Sequence, residues 1–374
     1  MSLPEGAQTI TGLLVTDIAA ERPCGQGGRG DPCAQFIREN AVKRIELNSP
    51  SSIENLNLVE AERPNPKNDE LLVQVLASSL NFHDYLVATG ILPAARGRVP
   101  LSDGVGKVIA VGNGVTDFKP GDRVLGTFFP DWIDGSSTAA KISRMRGDQV
   151  DGFACQHVAL PSQAFTKAPA CLTDIEAATL PCAGLTAWRA LMAEGGVKPG
   201  ETVLIEGTGG VSIFALQFAR MAGASVIGLS SSEEKLARLK QLGAQHVLNY
   251  RDDPNWGAKV REITGGVGAD HVVEVVGGDL TQTLQACRVS GRLYIIGALS
   301  RKPIEFPARL VINGNVRIIG LTVGSRIHQL EMVQAIETNG LKPVVDRIFP
   351  LSELKAAFRY QEAKAHFGKI CIAC

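Results

Sequence analysis

The glycine-rich run Gly207-Thr208-Gly209-Gly210-Val211-Ser212 has the spacing of a dinucleotide-binding loop. It follows a continuous apolar segment that ends at Glu206, and it precedes apolar residues at helical spacing. In such a unit the first glycine makes the tight turn, and the second lets the backbone approach a diphosphate at the positive end of the helix. The run therefore predicts a site for a dinucleotide cofactor. The alternative is a glycine turn in a domain that binds nothing.

The residues that end the next strands indicate which nicotinamide cofactor is bound. An NAD site places Asp or Glu at the end of the second strand, where the carboxylate bonds the ribose hydroxyls. Here that strand ends in Ser230-Ser231-Ser232, Lys235 begins the next helix, and Tyr250 ends the third strand. Hydroxyls and a cation suit a 2′-phosphate, so we predict NADP(H). In the alternative, Lys235 is a solvated charge paired with Glu233 or Glu234.

Two kinds of element must position these residues. From Val42 to Val124, segments of strand-like composition dominate, which predicts a β-rich first part. After Thr173, buried strands alternate with helices, as in βαβ units and a doubly wound parallel sheet. We therefore predict an α/β protein whose sixth parallel strand, at 316–323, forms a sheet edge. The tail from residue 327 is expected to hold two helices and a last strand.

Composition limits the partners of this chain. Its 374 residues include 38 Lys and Arg and 38 Asp and Glu, so the net charge is zero, whereas nucleic-acid binding calls for a basic excess. No apolar run reaches membrane-spanning length, and the N-terminus lacks the charge of a secretory signal. The eight scattered cysteines favour reduced thiols. We expect a cytoplasmic protein with no nucleic-acid or membrane partner.

Four stretches resemble the medium-chain dehydrogenase/reductase superfamily, most closely its zinc-free quinone-oxidoreductase-like and alcohol-dehydrogenase-like branch. They are residues 79–84, 121–124, 180–188 and the glycine loop, and the tail at 366–369 also fits. The likeness runs from about Val42 to the C-terminus. It implies a GroES-like catalytic domain, split in sequence around an NADP-binding Rossmann domain. The predicted boundaries are an N-terminal extension at 1–38, a GroES-like domain at 39–165 and 324–374, and a Rossmann domain at 166–323.

The resemblance also bears on metal binding. Zinc-dependent members hold their catalytic metal with a Cys, a His and a second Cys, and the matching positions here carry Asn81, Ser102 and Cys182. A catalytic zinc needs three protein ligands, and a single thiol does not supply them. The four-cysteine lobe of structural zinc is also missing. We predict a site without metal, in which Ser102 and Cys182 line the floor of the substrate pocket.

Without zinc, hydrogen bonds must polarise the substrate carbonyl. Asn81 is the first candidate, because its amide can donate to a substrate oxygen and zinc-free relatives keep Asn at this position. His83 or Tyr85 could supply a proton. The alternatives are that Asn81 is a local cap, His83 a surface histidine and Tyr85 a core residue with a bonded hydroxyl. Phe129 and Trp132 either wall the substrate pocket or simply pack within their loop.

The resemblance further implies which residues hold the nicotinamide half of the cofactor. They are Thr186, Gly297, Ala298, Leu299, Val323 and Ser325, and Phe367 in the matching tail is a further cofactor-binding residue. Lys369 is expected to approach the cofactor phosphates. Glu206 departs from the family, whose members usually carry a neutral residue just before the glycine loop. Its side chain is expected either to point away from the diphosphate or to pair with a cation.

Together these features predict a metal-free, NADPH-dependent reductase that transfers hydride to a quinone, an enone, or an aldehyde or ketone. One alternative is an NADP-linked alcohol dehydrogenase that works in the oxidative direction. Another is a protein that binds NADPH with little catalysis, as some relatives do. Relatives also pair the sixth strand across a two-fold axis, so the resemblance implies a homodimer.

Overall fold

The protein is seen in a computed structural model that describes residues 41–297 and 299–374. The predicted extension at 1–38 and the predicted cofactor residue Ala298 lie outside the described residues. The strands are β1 (Ala41–Leu47), β2 (Leu56–Glu62), β3 (Glu70–Ser79), β4 (Val105–Val111), β5 (Arg123–Gly126), β6 (His157–Pro161), β7 (Phe165–Lys167), β8 (Thr202–Glu206), β9 (Ser225–Ser230), β10 (His246–Asn249), β11 (Ala269–Glu274), β12 (Cys287–Ile295), β13 (Arg317–Gly320), β14 (Val345–Pro350) and β15 (Lys369–Ala373).

The helices lie mostly between the strands of the second half of the chain. They are α1 (Phe82–Ala88), α2 (Ala139–Ile142), α3 (Asp174–Ala177), α4 (Leu185–Trp188), α5 (Gly210–Met221), α6 (Glu233–Gln241), α7 (Trp256–Ile263), α8 (Thr281–Ala286), α9 (Ala308–Gly314), α10 (Arg326–Asn339) and α11 (Leu354–Glu362). Wider helical turns at Leu180–Gly184 and Arg189–Glu194 flank α4, and short tight turns occur at Ile53–Asn55, Ser162–Ala164 and Leu351–Glu353. No helix in the described residues is long and apolar enough to cross a membrane.

Six parallel strands form the predicted doubly wound sheet, in the order β10-β9-β8-β11-β12-β13. Alternation places Val203 and Ile205 of β8 in the core on one face and Leu204 in the core on the other, so both faces are covered. The chain places β9 and β10 on one side of β8 and then β11, β12 and β13 on the other side. This reversal opens a crevice at the carboxyl ends of β8 and β11, which is where such sheets bind ligands.

Local sequence explains why the helices begin and end where they do. In α6 the hydroxyl of Ser232 accepts a hydrogen bond from the backbone N–H of Lys235. Acidic side chains occupy the first turn and basic ones the last, as the helix dipole favours. Leu236 and Leu239, three residues apart, bury the inner face. These short-range signals explain where α6 begins and ends.

The remaining strands form the predicted β-rich part. Its larger sheet has the order β14-β15-β3-β4-β5-β7, with β6 also paired to β3, and β1 and β2 form an antiparallel pair. Strand β15 at the C-terminus runs between β14 and β3, in register with residues 77–79. The tail therefore packs back on the first part, as predicted. It also holds β14, which the sequence patterns do not predict.

Residues 364–369, here called the seam segment, connect this sheet to the glycine loop. The backbone N–H of Gly368 donates to Thr208 O at 2.9 Å. The guanidinium of Arg238 lies 4.0 Å from the centre of the Phe367 ring. The seam segment thus holds the strand that follows it, β15, next to the glycine loop.

Candidate active site and cofactor site

Asn81 lies where β3 gives way to α1. It caps the first turn of α1, and its backbone N–H donates to Asp84 Oδ2 at 2.9 Å. The other carboxylate oxygen of Asp84 accepts from the backbone N–H of Ser102 at 2.8 Å. Asp84 is buried and joins two loops through these bonds. Asn81 is therefore the cap residue of α1, which was its alternative role, and the capping bond uses its backbone N–H.

The amide of Asn81 belongs to a buried group of four residues, the Asp103 cluster: Ser79, Asn81, Asp103 and Lys369. Asp103 Oδ2 accepts from Ser79 Oγ at 2.5 Å, from Asn81 Nδ2 at 2.8 Å and from Lys369 Nζ at 3.3 Å. Lys369 Nζ also donates to Asn81 Oδ1 at 2.5 Å and to Leu80 O at 2.8 Å. Burial raises the pKa of Asp103, and the charge of Lys369 opposes that shift.

Lys369 connects the glycine loop to this cluster. Its stem passes the loop, since a Cβ on Gly210 would lie 2.6 Å from Lys369 Cδ. Its ammonium bonds the Asp103 cluster, because the buried Asp103 carboxylate needs a compensating cation. The approach of Lys369 to the cofactor phosphates stays a prediction.

The three positions that match the zinc ligands of the family do lie close together. Asn81 Nδ2 donates to Ser102 Oγ at 3.2 Å, and with its bond to Asp103 this engages both hydrogens of the amide. Burial and the charge of Asp103 raise the pKa of the Cys182 thiol well above its usual value. Within residues 41–297 and 299–374, no group of three or more His, Cys, Asp or Glu side chains could hold a metal ion.

His83, two residues after Asn81, is the charged group beside this cluster. Its Nε2 lies 3.3 Å from Asp148 Oδ2, and its Nδ1 lies 3.8 Å from Asp84 Oδ1. Burial lowers the pKa of His83, but the hydrogen bond to Asp148 and the charges of Asp148 and Asp84 outweigh burial and raise it to about 9. Nδ1 is buried and has no hydrogen-bond partner in the described part of the chain. His83 is therefore a protonated imidazole whose Nδ1 lies beyond hydrogen-bond distance of Asp84.

Tyr85 does not join this group. Its hydroxyl donates to Glu362 Oε1 on α11 at 2.8 Å, and the guanidinium of Arg301 lies 5.6 Å from its ring centre. Burial and the bond to Glu362 raise the pKa of Tyr85. Tyr85 is thus the core residue with a bonded hydroxyl that was its alternative role. Tyr85 therefore lies outside the group of residues around His83, and its role as a proton donor stays a prediction.

The aromatic residues predicted to wall the pocket are deeply buried. Phe129 is 2% exposed and Trp132 is 1% exposed, and their ring centres lie 6.0 Å apart. Phe128 joins them to the site, because its ring lies 4.8 Å from Phe129 and 5.3 Å from His83. The rings of His83, Phe128, Phe129 and Trp132 therefore form a row. This row borders the Asp103 cluster and is packed as part of the core.

The glycine loop has the shape that a diphosphate requires. Gly207 adopts a φ of +84°, which favours glycine, and Gly209 begins α5 with φ −79° and ψ −178°. A Cβ on either residue would meet no other atom within 4 Å, so the space beside the backbone is open. No side chain caps α5, whose first turn contains Val211. The N–H groups of that turn could therefore hold an anion.

Residues predicted at the nicotinamide end occupy two places. Near α4, Gly324 packs so closely that its Cβ would lie 3.0 Å from Leu185, which brings Val323 and Ser325 beside Thr186. The Thr186 hydroxyl donates to the backbone carbonyl of residue 182, and the Ser325 hydroxyl caps α10. In the loop after β12, Gly297 and Leu299 lie against the carbonyl that follows β11.

The predicted 2′-phosphate residues partly converge. The backbone N–H of Tyr250 lies 3.3 Å from Ser230 O, which brings the ends of β9 and β10 together beside Ser231. Lys235 Nζ instead donates to the carbonyls of Lys364 and His366 in the seam segment, both at 2.9 Å. These bonds replace the pairing with Glu233 or Glu234 that was the alternative role of Lys235, and its contact with a 2′-phosphate stays a prediction. A long side chain reaches acceptors that sequence spacing does not reveal.

Several residues of this site escape sequence reasoning. Asp103, Ser79 and Asp148 bond partners that lie 22 to 266 residues away, so no short motif marks them. One local signal was available for Asp84, because a carboxylate three residues after a capping Asn forms a capping box. Glu274 carries a further signal, since it ends the strand that pairs with β8.

Comparison with known proteins agrees with this architecture. A family model described as alcohol dehydrogenase GroES-like domain matches residues 67–170, and one described as zinc-binding dehydrogenase matches residues 210–338. A zinc-type alcohol dehydrogenase-like protein of Schizosaccharomyces pombe is 39% identical over 343 residues, which cover 89% of this chain and 99% of that protein.

Solved structures give the same result. One is a Sinorhizobium meliloti 1021 protein provisionally identified as an alcohol dehydrogenase; it has a TM-score of 0.85 and 38% identity over 90% of this chain and 99% of its own. An NAD-dependent alcohol dehydrogenase has a TM-score of 0.79 and 31% identity over 89% of this chain and 99% of its own.

Proposed function

The chain belongs to the medium-chain dehydrogenase/reductase superfamily, and from that premise we propose that it is an NADPH-dependent reductase whose active site works without zinc. As a member of this superfamily it is an oxidoreductase with a nicotinamide cofactor. The proposed substrates are quinones, enones, and aldehydes or ketones. The observation that carries the proposal is the Asp103 cluster, in which Lys369 donates to Asn81, one of the positions that match the zinc ligands of the family.

The donor chemistry at this place does not suit zinc. Asn81 offers an amide whose atoms are already bonded, Ser102 offers a hydroxyl, and Cys182 holds its proton because its pKa is raised. Zinc prefers thiolate, imidazole and carboxylate ligands. The one carboxylate present, Asp103, already faces the ammonium of Lys369. A divalent cation would have to displace that ammonium and deprotonate the thiol.

His83 takes the role of proton donor in this proposal. Bound NADPH supplies hydride to the substrate carbon, and a proton must reach the substrate oxygen or the neighbouring carbon. His83 is protonated at neutral pH, and its Nδ1 has no hydrogen-bond partner among the described residues. Asn81 and Asp84 then act as positioning residues, because their hydrogen-bonding groups engage protein partners around α1.

Replacing Asp148 with Asn tests the role of His83. Because Asp148 raises the pKa of His83, we expect D148N to lower it and to move the alkaline loss of activity to lower pH by about one unit. The raised pKa also means that the ion pair stabilises the fold below about pH 6.5, and that this contribution is lost as the pH rises through about 9. Histidine NMR titration and pH–rate profiles measure both effects. Unchanged profiles in D148N would count against His83.

The preference for NADPH rests on the end of β9. Ser230 and Ser231 stand where NAD-specific sites place a carboxylate. We therefore expect Ser231→Asp to weaken NADPH binding and favour NADH, with a combined change in preference of about 100-fold. Titration of both cofactors into the wild-type chain and S231D measures this change. Equal affinity of the wild-type chain for NADH and NADPH would refute the proposed cofactor preference.

One observation favours a second candidate function, cofactor binding with little turnover. Phe128, Phe129 and Trp132 are all nearly inaccessible, and Phe128 packs beside His83. A reductase must admit its substrate next to these rings. An alcohol dehydrogenase that works in the oxidative direction remains the alternative within enzymes, and it would use the same site.

The test of function is NADPH oxidation against a panel of quinones, enones, aldehydes and ketones, and NADP-linked oxidation of alcohols, each with and without chelator. We expect reduction that the chelator leaves unchanged. Loss of activity with chelator would overturn the zinc-free proposal. Tight NADPH binding without turnover on any substrate would favour the binding protein.

We also propose that the protein is a homodimer. Strand β13 lies at the edge of the parallel sheet, as predicted for the sixth strand. Unpaired edges are usually covered, and a second copy would cover this one. A solution mass about twice 39.7 kDa by light scattering would support the dimer.

A further inference from the structure

Two glutamates lie side by side at the crevice between β8 and β11. Val273 of β11 is in register with Ile205 of β8, so the next residues along the two parallel strands, Glu274 and Glu206, are neighbours. Glu206 directly precedes Gly207, the first residue of the glycine loop. Two carboxyl groups are therefore placed together next to the loop that would receive the cofactor diphosphate.

Both carboxyl groups are buried but bonded differently. Glu274 is 0% exposed, and its Oε1 accepts from the backbone N–H groups of Val276 and Gly277 at 2.5 and 2.6 Å. Glu206 is 8% exposed, and its Oε1 accepts from Thr283 Oγ1 on α8 at 2.9 Å. Burial raises the pKa of Glu274, and its two backbone donors oppose that shift, whereas Glu206 accepts from a single hydroxyl. Glu206 is therefore the member of the pair that keeps a proton.

No cation offsets this pair. In the part of the chain that the structure describes, neither glutamate forms an ion pair with a lysine, arginine or histidine. The groups that face Glu206 are Glu274 from β11, Thr283 from α8, Cys287 from the start of β12 and Leu229 from β9. Arg261 on α7 acts on Cys287, and its guanidinium donates to the backbone carbonyls of Gln285 and Cys287. On α5, the Ser212 hydroxyl donates to the backbone carbonyl of Glu206.

The balance of these effects is a carboxyl group that is neutral at physiological pH. Burial, and then the charge of Glu274, raises the pKa of Glu206 to about 8, although the bond from Thr283 opposes the shift. Among the described residues no cation pairs with Glu206, whose side chain bonds Thr283 on α8. A retained proton removes the charge for which a cation was expected.

We infer that Glu206 determines cofactor affinity through this proton: the glycine loop binds the diphosphate when Glu206 is neutral, and ionised Glu206 beside Glu274 weakens that binding. The inference rests on the proposed function, because it requires that the loop bind a nicotinamide dinucleotide. The physical basis is repulsion between a buried carboxylate and the negative diphosphate, in a region where water screens charge poorly. Binding and the proton are then linked, so cofactor binding raises the pKa of Glu206 further.

The experiment measures the dissociation constant of NADPH for the full chain between about pH 7 and about pH 9.5, by fluorescence or calorimetry. For the wild-type chain we expect the constant to rise at least about tenfold over this range. Glu206→Gln keeps the side-chain volume and remains uncharged. We expect E206Q to bind NADPH as tightly as the wild-type chain at low pH, with a change below about twofold across the range.

Two further variants move the transition in opposite directions. Glu274→Gln removes the neighbouring charge, so the wild-type rise should occur at lower pH. Thr283→Val removes the donor that favours ionised Glu206, so the rise should occur at higher pH. These opposite shifts require Glu206 to be the titrating group, since a general loss of structure would not separate them.

The outcomes distinguish the inference from the proposed function. A dissociation constant that is independent of pH in the wild-type chain overturns the inference and leaves the proposed function intact. The same pH dependence in E206Q also overturns it. Absence of NADPH binding at every pH, in folded wild-type and variant chains, overturns the proposed cofactor role itself.

Discussion

Replacing Gly209 with Val is expected to weaken NADPH binding about 100-fold while the fold stays nearly as stable as before. The backbone of Gly209 has an extended conformation that any residue adopts, and a Cβ there would meet no other atom within 4 Å. A branched side chain would fill that open space and separate the first turn of α5 from the diphosphate. Val is a poor helix cap, which costs about 1 kcal/mol of stability.

Calorimetry with NADPH and chemical denaturation measure the two quantities separately. Gly210→Ala is the matched control, because a Cβ at the next residue would collide with Lys369 Cδ at 2.6 Å. We expect G210A to lose stability, in contrast to G209V. Binding of NADPH by G209V with wild-type affinity would show that the dinucleotide does not approach this loop.

Replacing Lys369 with Met is expected to lower the free energy of unfolding by about 3 kcal/mol. The substitution keeps the stem beside Gly210 but leaves the buried carboxylate of Asp103 without its cation. Burial already raises the pKa of Asp103, and loss of Lys369 should raise it further. The loss should therefore shrink as the pH falls and Asp103 takes up a proton. Urea unfolding at two pH values measures the effect.

A second substitution tests whether the loss comes from the charge. In the double variant D103N/K369M no buried charge is left unpaired, and Asn can still accept from Ser79 Oγ. We expect the double variant to recover to within about 1 kcal/mol of the wild-type stability. Additive losses from D103N and K369M would contradict the assignment of Asp103 and Lys369 as a coupled pair.

Much of the fold is predictable from the sequence because its signals are local. The sequence predicts the observed end of β8 at Glu206, since a buried parallel strand is a short, continuous apolar run bounded by turns. The same reasoning predicts the alternation of buried strands with helices after Thr173. Strand β14 escaped prediction because most of its residues are at least partly exposed and show no strict alternation.

The candidate site was less predictable, because its partners are distant in sequence. The glycine loop is predictable because its shape depends on its own backbone. The structure shows the expected open space beside it. The roles of Asn81, Lys235 and Lys369 depend instead on which acceptors lie within reach after folding. Asp103 is separated from Lys369 by 266 residues, so no local pattern reveals the pair. The spacing of residues in the sequence indicates which residues belong to the site. It does not indicate which atoms those residues bond.

The position of β15 has a consequence for how this protein is made. The nucleotide sheet uses strands from residues 202–320, a continuous stretch whose strands can pair while later residues are still being added. Strand β3, near the start of the described chain, lacks one neighbour until residues 371–373 leave the ribosome. Such distant pairing is slow, because a long loop must close first. The active-site sheet is therefore completed after the nucleotide sheet, and Lys369 reaches Asp103 only once residues 369–373 have been synthesised.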